Sequence, residues 1–231
     1  MQSRLICSRS TATVQTQMKR QKTPNHRHNR NRLRQRPFTE AELHKVFTVV
    51  DEEWRGMMLV SVYTGLRLGD VARLRECDLR MNSKLIHVPV NKSRLQTCPI
   101  PPPLYRYLVA TGRSAGRAQP LFPHAFALAT SGRIYQLSVE SRHLLVKSGV
   151  RNVEPSANKR DGGDGYLPLS FGSLRHYFLR MLFRAEVPKT MAAQLCGHES
   201  KRIPLFHPKS DLHAAVEKLP DLLNIFTQKL E

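Results

Sequence analysis

The 231-residue chain is 40% hydrophobic, enough for one core of ordinary domain size with a tail to spare. Its formal charge of +19 and sequence pI near 10.5 lie far outside the usual range for a cytosolic enzyme and point to a polyanionic partner, nucleic acid first. The charge is uneven: residues 1–36 hold ten Lys or Arg and no acid, and the other 195 residues still carry 27 basic against 18 acidic side chains, a net of +9. Four widely spaced cysteines, Cys7, Cys77, Cys98 and Cys196, offer no C-x-x-C pair, which argues against a zinc site and a secreted disulfide framework. No apolar run approaches the roughly 18 to 20 residues of a membrane span. A soluble cytoplasmic protein without membrane contact is expected, although an acid-free start with Arg and Ser could also serve as a transit peptide.

Residues 1–36 are too polar and charged to fold alone, and read as a basic disordered tail or linker. Ordered structure is expected from Pro37. Thr39 followed by Glu42 has the spacing of a capping box, opening a helix through Leu43, Val46 and Phe47. The mostly apolar run over 53–63 predicts a second helix, stopped at Gly65 by a left-handed cap. A third follows over 66–76. KLIHVPVNKSRLQTCPIP reads as a β-hairpin with NKSR in its turn, and its prolines suggest an edge position. Helical spacing recurs over 105–111, 135–149, 173–185, 189–195 and 212–218, while 152–166 reads as a long flexible loop. The fold class is therefore mostly α with one small antiparallel β-sheet (α+β). Trp54 and Phe47 lie on apolar helical faces and belong to the core.

Three groups of residues carry chemistry. In YTGLRLGD, Gly65 ends one helix and Arg67 begins the next, setting a guanidinium beside helix-start N–H groups, a combination suited to a phosphate. In SFGSLRHYF, Arg175 and His176 interrupt an apolar helical pattern, and a buried charge there calls for an anion or another partner. In CGHES, His198 follows Gly197 just past a helix end. Each group alone also fits a plain surface or capping role.

In order and spacing, YTGLRLGDVARL, a hairpin with a lysine in its turn, SFGSLRHYF and a later GH resemble the tyrosine recombinase (phage integrase) family across residues 37–220. The resemblance implies the DNA breaking-rejoining catalytic-domain fold over 37–231, with no complete N-terminal core-binding domain ahead of it. It implies binding to double-stranded DNA and strand cleavage and rejoining through a 3′-phosphotyrosyl intermediate. Arg67 and Arg175 would clamp the non-bridging oxygens of the scissile phosphate. Lys92 would protonate the departing 5′ oxygen, with Arg94 as the alternative. His198 would donate a hydrogen bond to the same phosphate, and Asp70 would buttress the first arginine. No cofactor or metal is implied, and His26 and His28 have no matching ligand set.

Two positions depart from the family pattern. The second box usually reads H-x-x-R, and Gly172 stands three residues before Arg175. The family's nucleophilic tyrosine falls at His207, nine residues after His198, and no tyrosine follows Tyr177. An imidazole can attack phosphorus, but it is shorter than a phenol and its adduct more labile, so impaired cleavage is the expectation. Pro204 and Pro208 also interrupt the helical pattern there. The competing readings are an active recombinase with an unusual nucleophile, an inactive DNA-binding remnant, and an RNA- or ribosome-associated basic protein. DLHAAVEKLPDLL is an amphipathic tail that could pack in cis or carry homo-oligomerisation on DNA.

Overall fold

A computed structural model of the protein describes residues 34–91, 94–113, 118–151, 166–167, 169–197 and 207–223. The N-terminal signal folds as its residues dictate. Thr39 Oγ1 accepts from the Glu42 N–H at 3.2 Å, the Glu42 carboxylate accepts from the Thr39 N–H at 2.8 Å, and helix α1 (Glu40–Phe47) follows. The body begins before Pro37, correcting the expected boundary. Strand β1 (Arg34–Gln35) pairs in parallel with β5 (Tyr166–Leu167), and the Arg36 guanidinium holds Glu42 with two hydrogen bonds of 2.9 and 2.6 Å.

Helix α2 (Glu52–Thr64) is the axis of the core: every residue from Gly56 to Thr64 is buried, as a helix apolar on all sides must be. Asp51 caps its start, accepting from the Trp54 N–H at 2.8 Å, and Gly65 ends it at φ +68°. A side chain at Gly65 would pay twice, in backbone conformation and by setting its Cβ 2.7 Å from Phe178 Cδ1. The buried hydroxyls of Ser61 and Thr64 are satisfied locally: Ser61 Oγ donates to the Leu66 carbonyl at 2.9 Å, and Thr64 Oγ1 donates to the Val60 carbonyl at 2.6 Å. Helix α3 (Leu68–Ala72) is shorter than expected.

Strands β2 (Leu79–Arg80), β3 (Leu85–Asn91) and β4 (Arg94–Pro99) form an antiparallel sheet in that order, β3 and β4 being the expected hairpin. β4 is an edge, but β3 is central and contains Pro89. The two-residue β2 reaches only Leu85 and Ile86, so at Pro89 the outer side of β3 has no ladder to break, and the register shifts between Pro89 and Asn91. Proline also marks helix starts. Helix α4 (Pro102–Ala110) begins three residues earlier than the spacing over 105–111 suggested, and α5 (Pro123–Thr130), which the sequence reading missed, begins the same way. Helix α6 (Ile134–Lys147) follows.

Helix α7 (Gly172–Arg184) packs on α2, and α8 (Lys189–Leu195) occupies the residues expected of it. Pro208 does not break a helix. It caps the start of α9 (Lys209–Glu217), correcting its reading as an interruption of the helical pattern. The amphipathic tail packs in cis: Leu212, Ala215, Val216, Leu219 and Leu222 are buried on the chain's own body, and Arg106 pairs with Asp221. Trp54 and Phe47 are core residues as expected. The expected loop over 152–166 lies outside the described residues except for Tyr166. Among the described residues no helix is long and apolar enough to cross a membrane.

The tail is fastened by one phenol. Tyr63, fully buried on α2, accepts from the Leu222 N–H at 2.8 Å and donates to the Pro220 carbonyl at 3.2 Å. Tyr63→Phe leaves both backbone groups without a partner and is expected to destabilise the fold by about 1 to 3 kcal/mol. Urea unfolding followed by the fluorescence of Trp54, the only tryptophan, measures this. An unchanged midpoint would mean that the two phenol hydrogen bonds contribute nothing to the body's stability.

Candidate active site

The site is assembled at the ends of helices. Gly65 turns the chain out of α2, the buried Leu66 anchors it, and Arg67 emerges exposed at the N-cap of α3 with extended backbone. The Arg67 carbonyl already accepts from the N–H groups of Asp70 and Val71, each at 3.0 Å. Helix α3 has only five residues, so it contributes little dipole, and the positive charge at this corner is that of the guanidinium rather than of helix-start N–H groups.

Arg175 lies one turn into α7, half-buried. Its Nη1 donates to the Gly65 carbonyl and its Nη2 to the Cys196 carbonyl, both at 2.6 Å. Both acceptors cap helix C-termini, α2 and α8, where the dipole favours a cation. Burial works against its charged form, the surroundings of Cys196 favour that form, the charge on Arg67 opposes it, and the charge on Asp70 favours it. Arg67 and Arg175 are thus close enough for their charges to repel. A guanidinium remains ionised at neutral pH even so. Asp70 acts electrostatically on Arg175, and among the described residues it makes no ion pair with Arg67, so the expected buttressing contact is absent from them.

His176 is half-buried, and burial first and Arg175 second lower its pKa, which keeps the ring neutral at pH 7. Gly172 is the first residue of α7, whose start is held by Ser173 Oγ accepting from the Ser170 N–H at 3.2 Å. Cys98 and Cys196 are buried beside Arg175, and burial pushes their thiols up to about 12 and about 11. They pack as apolar groups rather than react. Among the described residues no three His, Cys, Asp or Glu side chains gather as a metal site would require.

His207 is held against α8. Its N–H donates to Gln194 Oε1 at 2.9 Å, Gln194 Nε2 donates to its carbonyl at 3.2 Å, and its ring Nε2 lies 3.0 Å from Thr190 Oγ1. Gln194 and Thr190 sit four residues apart on one face of α8, a role without any signal in the sequence. Gln96 escaped the sequence reading for the same reason. From β4 it donates to the Leu195 carbonyl at 3.2 Å. Lys92 and His198 lie outside the described residues; Asn91 and Arg94 flank Lys92 as a paired position of the hairpin, and Gly197 precedes His198 at φ +64°. The described residues therefore bring Arg67, Arg175, Asp70 and the last turn of α8 together, and set His207 on the 190/194 face of that helix. The apolar groove between α7 and α8, lined by Leu179, Phe183 and Val187, lies toward the far end of α7.

A family model described as the phage integrase family matches residues 36–204, a span that includes Arg67, Lys92, Arg175 and His198 and ends before His207. Among solved structures, the chain is similar to the integrase from mycobacterium phage Brujita, at 16% identity and a TM-score of 0.56, over 83% of this chain and 63% of that one. The chain thus spans less than two thirds of that protein's length, and at this identity the likeness speaks for the fold. No curated protein matches. The mostly helical body, its small antiparallel sheet and a family match across nearly three quarters of its length show that this chain belongs to the phage integrase family of tyrosine recombinases.

Proposed function

We propose that this protein binds double-stranded DNA by clamping a backbone phosphate between Arg67 and Arg175, and that it does not sustain strand cleavage in its present form. The observation that carries the reading is the state of Arg175: a half-buried guanidinium, hydrogen-bonded to two carbonyls and near enough to Arg67 to feel its like charge. Among the described residues no carboxylate forms an ion pair with either arginine. Two such charges side by side favour an anion between them, and a phosphodiester supplies one with two non-bridging oxygens. Membership of the family supports Lys92 as the general acid and His198 as a further donor to that phosphate. Residues 1–36, with ten basic side chains, would add phosphate contacts without sequence information.

Impaired cleavage follows from two positions. The contact between His207 Nε2 and Thr190 Oγ1 directs the ring toward α8, and Gly172 brings no proton-handling side chain to the second box. A second copy on the same DNA would have to dock elsewhere than on the apolar face of α9, which its own body covers.

Arg67 and Arg175 separate binding from folding. Arg67 is exposed, so Arg67→Ala should shift stability by less than about 0.5 kcal/mol. The same change should reduce the dependence of log Kobs on log salt by about 0.9, the effect of one lost phosphate contact. Arg175→Ala also unties two helix ends and is expected to cost both affinity and stability. Deleting residues 1–36 should lower the slope further. Filter-binding titrations across salt, paired with unfolding curves, read all three, and an Arg67→Ala slope equal to that of the unaltered protein would sink the clamp.

On a nicked suicide substrate the unaltered chain is expected to leave no covalent adduct, while His207→Tyr with Gly172→His recovers some cleavage and His207→Tyr alone recovers less. An acid-labile, base-stable adduct from the unaltered protein, lost in His207→Ala, would make His207 a working nucleophile and overturn this reading.

A further inference from the structure

We propose that Gln96 is a positioning residue that fastens the β3–β4 hairpin to the turn after α8, so that the hairpin carrying Lys92 and the turn leading into His198 move as one piece. The proposal rests on the phosphate-clamp reading for its functional consequence. Its structural basis is independent of that reading. The last carbonyls of a helix have no partner within the helix and must find one elsewhere. At the end of α8 two successive carbonyls find side chains from different elements: Leu195 O accepts from Gln96 Nε2 of β4 at 3.2 Å, and Cys196 O accepts from Arg175 Nη2 of α7 at 2.6 Å.

The same amide is fixed from three sides. Its Nε2 also lies 3.4 Å from Cys98 Sγ, two residues along the strand, which sets the side chain's direction. Its other face lies against Gly197, where any Cβ would collide with the Gln96 amide. Gly197 is left-handed at φ +64°, so the turn takes its shape from glycine and its position from Gln96. Gln96 stands four residues after Lys92 on the hairpin, and Gly197 one residue before His198. One side chain thereby ties strand β4 to the turn after α8. Arg175, bonded to the next carbonyl, shares the anchorage.

The test separates the hydrogen bond from the space it fills. Gln96→Glu keeps the shape and charge-neutral contacts of the stem but turns the donor into an acceptor facing a carbonyl, whereas Gln96→Ala removes both. Amide hydrogen-exchange protection factors at Cys196 and Gly197 should fall about fivefold or more in both variants at pH 7, the equilibrium equivalent of one lost hydrogen bond, with α2 amides unchanged. In the Glu variant alone they should recover as the pH is lowered and the carboxyl becomes a donor again. Affinity for a DNA duplex at fixed salt should fall about fivefold with them. Protection unchanged in Gln96→Ala, or no recovery in Gln96→Glu at low pH, overturns the latch. Lost protection with unchanged duplex affinity overturns its positioning role. Failure of the unaltered protein to bind duplex would count against the clamp reading, while the exchange data still decide the latch.

Discussion

The arrangement depends on where one half-buried guanidinium puts its hydrogen bonds. Arg175 donates to Gly65 O at the end of α2 and to Cys196 O at the end of α8. These carbonyls are the negative ends of two helices, and each would otherwise need a partner. The bonds therefore satisfy helix ends and help to hold a charge that burial disfavours. The connection to Arg67 starts at the first of these ends and the turn toward His198 at the second, so the position of Arg175 governs both. Replacing this residue with lysine would keep the charge and lose the fork, since a single ammonium cannot reproduce two guanidinium bonds of fixed geometry.

Such a frame leaves a charge imbalance in place. Carbonyl dipoles and Asp70 offset part of what burial and Arg67 take from the charged form of Arg175. Carbonyls stabilise a cation without neutralising it, so the corner stays positive in a body that is itself basic. An anion-binding site needs this combination: a cation held too tightly by a carboxylate has no attraction left, and one free in solvent has no direction. Preorganised charge of this kind is what the proposed clamp asks of Arg175, since a cation held in fixed geometry spends nothing on reorganisation when an anion arrives.

Much of the fold was legible because local chemistry left few options. The Thr39–Glu42 box, the stop at Gly65 and the hairpin around NKSR each follow from residues in direct sequence contact. Helix α8 was legible from spacing alone. What escaped depends on distant partners. PHAFALAT carries too little polar contrast to announce an amphipathic helix, and α5 starts with the help of Glu53, whose carboxylate accepts from the Ala125 N–H at 2.8 Å. The β1–β5 pairing joins residues more than a hundred positions apart, and two residues a side give no pattern. Pro208 read as a breaker because proline ends helices as readily as it begins them, and only the packing of Leu212, Ala215 and Val216 on the body decides between the two. In the site, charged residues in apolar surroundings were visible, whereas Gln96, Thr190 and Gln194 are ordinary polar residues whose roles exist only in the folded chain.

The surroundings of His207 divide between its backbone and its side chain. Gln194 holds this position through its backbone, using both the N–H and the carbonyl of residue 207. Those bonds are indifferent to the side chain, so a replacement at 207 inherits the same backbone anchor. The Thr190 contact, by contrast, belongs to the imidazole. The chain therefore keeps a scaffold for residue 207 while spending its side chain on α8. Pro208 starting a packed helix one residue later argues that this segment is still under the constraint of a folded body. The buried face of α9 and the Tyr63 anchor beyond it show that the segment after residue 207 packs on the body, and that packing does not depend on which side chain stands at 207.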